Sequence, residues 1–76
     1  MNYTLVGTSK CVFCTKAKDL LIEKGVGFTA YSLDSPSSRW LVTLFKASGM
    51  KTVPQIWDGE GNHIGGYTDL VQQLER

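Results

Sequence analysis

The only two cysteines of the chain stand as Cys11-Val12-Phe13-Cys14, directly after an apolar β-type run (Tyr3, Leu5, Val6) and at the start of an amphipathic helical stretch. A pair of thiols on a strand-to-helix junction makes a dithiol redox centre the leading reading. A thiolate in the first turn of a helix meets unpaired backbone N–H groups and the positive end of the helix dipole, so Cys11 is expected to ionise more readily than a free thiol. Lys10 adds a second positive charge beside it. Half of a structural zinc site is the rival reading, but two more Cys or His ligands are needed and only His63 remains, which leaves a metal shared between chains. A structural disulfide is the other alternative, although closing so short a loop removes little unfolded-state entropy.

Seventy-six residues are read as a single domain, 1–76, near the size at which one core suffices without staples. A hydrophobic content of 42% with two Trp, three Tyr and three Phe is adequate for such a core, and a formal charge of +1 gives no electrostatic case for nucleic acid or an anionic membrane. No stretch approaches the roughly 18 apolar residues of a membrane span, and Met1-Asn2-Tyr3-Thr4-Leu5 lacks the pattern of a secretory signal. A cytoplasmic monomer is expected, in surroundings reducing enough for the thiol pair to cycle rather than stay bridged.

Residues 3 to 7 read as a buried strand and residues 12 to 24 as a helix whose core face is Phe13, Ala17, Leu20 and Leu21, closed by Gly25. Phe28, Ala30 and Ser32 against Thr29, Tyr31 and Leu33 suggest a second strand, parallel to the first because a helix intervenes. Ser35-Pro36 is a helix-start signal, with Ser35 as cap, Trp40, Leu41, Leu44 and Phe45 as core face and Gly49 as stop. Val53 to Asp58 reads as a third strand, Asp58 to Asn62 as a turn and His63-Ile64 as a short fourth strand of an antiparallel hairpin. A last helix starts near Thr68, taken as its cap, and buries Leu70, Val71 and Leu74. The order β-α-β-α-β-β-α describes an α/β fold with a four-stranded mixed sheet and three helices.

Three segments far apart in the chain then fit one site: Cys11 to Cys14, Thr52-Val53-Pro54, and Gly65-Gly66-Tyr67-Thr68-Asp69. With these motifs in this order the chain resembles the glutaredoxins over essentially its whole length. The resemblance implies a thioredoxin-like fold. The runs Thr52-Val53-Pro54-Gln55-Ile56 and His63-Ile64-Gly65-Gly66-Tyr67-Thr68-Asp69-Leu70 look like the two glutathione-binding signatures of that family. Lys10-Cys11-Val12-Phe13-Cys14 is similar to the small phage and bacterial type and departs from the commoner C-P-Y-C.

What the resemblance implies is specific. Cys11 is the nucleophile and Cys14 the resolving thiol. Glutathione, a co-substrate and not a bound cofactor, is contacted by Lys10, Phe13, Thr52, Val53, Pro54, Gly66, Thr68 and Asp69. The bond after Val53 is cis. Thr68 and the backbone N–H groups around it take the γ-glutamyl carboxylate, and Asp69 takes its ammonium group, in keeping with the preference of helix starts for carboxylates. Lys51 and Arg39 are weaker candidates for the glycine carboxylate. No metal is implied, Trp40 and Trp57 are read as packing residues, and His63 as a strand-edge residue without a catalytic role.

The expected activity is glutathione-dependent reduction of protein disulfides and glutathione mixed disulfides, with electron transport to disulfide-containing proteins such as a ribonucleotide reductase, hence a link to deoxyribonucleotide synthesis. If the chain is phage-encoded, the host cytoplasm is the setting. Two alternatives accompany it. One is a glutaredoxin-like donor reset by thioredoxin reductase, against which the Gly-Gly-Tyr-Thr-Asp motif argues. The other is an iron–sulfur carrier in which two chains each give Cys11 and two glutathione molecules complete the ligands, kept open by Val12 in place of proline.

Overall fold

A computed structural model describes residues 2–50 and 52–75. Four strands, β1 (Asn2–Gly7), β2 (Gly27–Ser32), β3 (Gln55–Trp57) and β4 (His63–Gly65), alternate with three helices, α1 (Val12–Glu23), α2 (Arg39–Ala47) and α3 (Tyr67–Leu74). The sheet order is β2-β1-β3-β4, with β1 and β2 parallel and both other pairings antiparallel. This is the mixed sheet and the element order that the sequence predicts.

The register decides where the site forms. Val6 pairs with Gln55, so β3 begins at the end of the sheet where β1 finishes, and Ile56 pairs with Gly65, so β4 returns to that same end. The thiol loop, the segment before β3 and the start of α3 therefore all emerge at one edge. The far end of the β3–β4 hairpin is closed by Asp58, whose Oδ1 accepts the backbone N–H groups of Glu60 and Asn62, each at 2.9 Å.

Alternation along β1 sends Leu5 and Val6 to opposite faces of the sheet. Leu5 joins Ala17, Leu20, Leu21, Ile56 and Leu70 in the core between the sheet and the α1–α3 layer, with Val71 and Leu74 packed against it. The buried face of α1 is Cys14, Ala17, Leu20 and Leu21. Phe13 is not part of it: it stands in the first turn, 54% exposed. Both face assignments satisfy helical spacing, and burial separates them.

The second face is covered differently from expectation. Pro36 opens a short 3₁₀ turn, Pro36–Ser38, and α2 starts only at Arg39. Ser35 makes no side-chain cap bond, because its hydroxyl pairs with that of Ser37 at 3.0 Å. None of the α2 side chains is buried, and Trp40 and Leu44 are more than half exposed, so the predicted core face lies only loosely on the sheet. Leu41, Leu44, Phe45, Ser48, Met50, Val6 and Trp57 instead line an apolar gap of about 180 Å³. Trp57 serves as a packing residue there, whereas Trp40, more than half exposed, makes an edge-to-face pair with Tyr31, ring centroids 6.2 Å apart.

Truncation should expose this asymmetry. Leu21→Ala, in the fully buried core, is expected to cost about 2–5 kcal/mol, and Leu44→Ala, on the open face, no more than about 1 kcal/mol. Urea unfolding of the reduced protein measures both.

Candidate functional site

Cys11 occupies the cap position of α1 in extended backbone conformation, and its Sγ accepts the N–H of Cys14 at 3.1 Å. A sulfur thus takes the place usually filled by a Ser or Asp oxygen at a helix start. The same Sγ lies 3.8 Å from the Val53 carbonyl oxygen, and the Val53–Pro54 bond is cis, as the resemblance implied. Cys11 is partly exposed and Cys14 is 1% exposed. Burial, reinforced by its hydrogen bond with Cys11, pushes the Cys14 thiol up to about 11. The two sulfurs are therefore unequal: one reaches solvent at the head of a helix, and the other is held protonated behind it.

Room for the buried thiol comes from β1. A side chain at Gly7 would bring its Cβ to 2.5 Å from Cys14 Sγ, so only glycine fits at that position. In the sequence Gly7 is only the last residue of the strand read over 3 to 7. Its steric role has no signal in the chain until β1 and α1 are placed against one another.

Phe13, Thr52, Val53, Pro54, Gly66, Tyr67, Thr68 and Asp69 line a groove of about 210 Å³. Seven of the eight expected contact residues therefore meet there. Lys10 does not: it is exposed beside Cys11 and is not among the residues lining the groove. Arg39 is exposed at the start of α2, and Lys51 lies outside the described residues. Tyr67 is an addition, its ring 5.8 Å from that of Phe13, so the two form an aromatic wall with Lys16 Nζ 5.4 Å above the Phe13 ring. The signal for Tyr67 in the sequence is its place inside the glycine-led motif.

The helix start differs in detail from expectation. Gly66, not Thr68, is the cap of α3, and Asp69 Oδ2 accepts the Gly66 N–H at 3.0 Å. Thr68 stands in the first turn, exposed, next to N–H groups that have no partner within the helix. Gly65 has φ +120, a conformation that side chains rarely adopt, and a Cβ there would collide with the Asp69 carboxylate. Gly65 is thus what leaves Asp69 room to fold back over the helix start.

The glutaredoxin family model matches residues 3–64. The chain belongs to the glutaredoxin family. A glutaredoxin of Pseudomonas aeruginosa is 46% identical over 70 residues, covering 91% of this chain and 79% of that protein. Glutaredoxin 3 of Escherichia coli is 38% identical over 69 residues, 91% of this chain and 81% of the relative. Among solved structures, the buckwheat glutaredoxin–glutathione complex superimposes with a TM-score of 0.78 at 25% identity, covering 96% of this chain and 67% of that one. The fold is thioredoxin-like, and the protein is a thiol–disulfide oxidoreductase of this family. Among the described residues no helix is long and apolar enough to cross a membrane.

The raised Cys14 value has a consequence for stability. An unfolded cysteine ionises near pH 8.5, so above that pH the unfolded chain sheds a proton that the folded chain keeps. Stability tied to the protonated thiol is intact below about pH 8.5 and is lost progressively as pH rises towards the folded value of about 11. Reduced protein should therefore unfold at lower urea concentration at about pH 10 than at about pH 8, and Cys14→Ser should flatten that slope. An unaltered slope in Cys14→Ser would show that other groups cause it.

Proposed function

We propose that this glutaredoxin uses glutathione to reduce protein disulfides and glutathione mixed disulfides, with Cys11 as nucleophile and Cys14 as resolving thiol. One observation carries the reading: the groove lined by Phe13, Thr52, Val53, Pro54, Gly66, Tyr67, Thr68 and Asp69 adjoins the reactive sulfur through Val53, whose carbonyl lies 3.8 Å from Cys11 Sγ.

In the proposed cycle the Cys11 thiolate attacks one sulfur of a target disulfide. The target S–S bond breaks, its second sulfur leaves as a thiolate that takes a proton from solvent, and Cys11 is left in a mixed disulfide. Cys14 then loses its proton and attacks Cys11 Sγ, which releases the fully reduced target and closes the Cys11–Cys14 disulfide. Two glutathione thiols return the two electrons. The first opens that disulfide to give a Cys11–glutathione adduct and a free Cys14 thiol, and the second attacks the glutathione sulfur of the adduct and leaves as glutathione disulfide. Burial supports the assignment, because a thiol held protonated at neutral pH is not the group that attacks first.

Recognition in this reading is polar at one end of the groove and apolar at the other. The first-turn N–H groups of α3 and the Thr68 hydroxyl receive the γ-glutamyl carboxylate. Asp69 receives the ammonium group; one of its oxygens caps Gly66, and an ionised carboxylate has further acceptor sites to spare. Lys10, outside the groove, acts on the glycine carboxylate or the thiolate only as a solvated charge. A ribonucleotide reductase is a candidate among the protein targets.

The test is NADPH-coupled turnover of a glutathione mixed disulfide, run with glutathione and its reductase and again with thioredoxin reductase alone. Turnover only in the first is expected, and turnover only in the second overturns the reading. Cys11→Ser should abolish activity, whereas Cys14→Ser should keep deglutathionylation, which needs one thiol, and lose most reduction of protein disulfides. Equal loss of both in Cys14→Ser would refute the division of roles. Asp69→Asn keeps an oxygen to cap the helix and removes the charge. It should weaken glutathione use roughly ten- to a hundredfold, the size of one charge-assisted contact, with little change in thermal stability.

A further inference from the structure

Gln55 is a buried polar side chain, 9% exposed, in β3. Its Nε2 lies 3.0 Å from the Thr52 carbonyl oxygen and 3.2 Å from Thr52 Oγ1, and its Oε1 lies 2.7 Å from His63 Nε2 on β4. These contacts fix every polarity in the chain of bonds. A backbone carbonyl only accepts, so the Gln55 amide must turn its NH₂ towards Thr52 and its oxygen towards His63. His63 Nε2 must then carry a hydrogen and donate it. Thr52 Oγ1, occupied as an acceptor by the Gln55 amide, keeps its own hydrogen to donate elsewhere.

We propose that His63 and Gln55 are positioning residues for the glutathione groove, a relay in which His63 holds the Gln55 amide, and Gln55 holds Thr52 with its hydroxyl free to donate to a ligand acceptor. The inference rests on the glutathione reading above for the identity of that ligand, but not for the relay. Thr52 lines the groove next to Val53 and Pro54, in a segment that belongs to no helix or strand. Gln55 ties that segment to β3. Without it the Thr52 carbonyl would rely on water. His63 is exposed on β4, its ring 5.1 Å from Trp57, and it is not among the residues that line the groove. Its effect on the site therefore passes through Gln55.

Substitution at an exposed ring separates this role from mere packing. His63→Phe keeps the ring beside Trp57 and removes the N–H donor, whereas His63→Gln restores a donor without the ring. In the turnover assay, His63→Phe should raise KM for the glutathione mixed disulfide about two- to tenfold, the span of one net hydrogen bond, with kcat little changed, and His63→Gln should recover most of the loss. A second readout needs no glutathione: His63→Phe should shift the backbone amide resonances of Thr52 and Val53, and should no longer do so when Gln55→Met is already present. If Gln55→Met does not fold, recovery of those resonances by His63→Gln decides in its place. Unshifted resonances in His63→Phe, or a shift that His63→Gln fails to reverse, would overturn the relay. Absence of glutathione-dependent turnover in the unsubstituted protein would overturn the functional reading alone, because the resonance test is unaffected.

Discussion

A single sulfur atom closes the first turn of α1. Cys11 Sγ accepts the Cys14 N–H, so the sulfur proposed as nucleophile is also the group that caps the start of the helix, and an electron-rich sulfur there offsets the partial positive charge of the unpaired N–H groups. The bond depends on Cys14 being held in place, which depends in turn on its burial and on the missing side chain at Gly7. Gly7 belongs to β1, which lies between β2 and β3 in the sheet. The chemistry thus sits on a central strand, on ground that cannot shift without opening the sheet.

Topology does the rest of the assembly. An antiparallel β3 starts where β1 stops, and β4 comes back to the same edge before α3 begins. Segments some forty and fifty-five residues from Cys11 are brought beside it by the strand register alone. No long-range ion pair is needed to explain the convergence. Each segment arrives with its own local device: a cis bond at Val53–Pro54 and a carboxylate cap over Gly65-Gly66.

Much of this was legible in the chain. Apolar spacing, glycine stops and turn residues located all seven elements, because each signal is local. Seven of the residues the motifs point to line the groove together, because helix starts and proline segments carry their own chemistry. What could not be read were properties of packing. Leu44 and Trp40 have the spacing of a core face, but spacing says which side chains share a side of a helix and not how closely that side meets the sheet. The cap of α3 was misplaced from Gly66 to Thr68 because a glycine cap has no side chain to announce it, and the acceptor comes from Asp69, three residues on. His63 and Gln55, eight residues apart, form a pair only once the hairpin register is known.

That register gives the hairpin turn an importance its location conceals. Asp58 to Asn62 lies at the end of the sheet remote from the thiols, fastened by the Asp58 carboxylate. The strands it joins are only three residues long, too short to fix their alignment by side-chain pairing alone. A slip of one residue would invert every side chain on β4, carrying His63 away from Gln55 and moving Gly65 out from under Asp69. The turn therefore acts as a measuring gauge for the opposite edge of the molecule. Its length in residues, more than its composition, is what the redox site inherits from it.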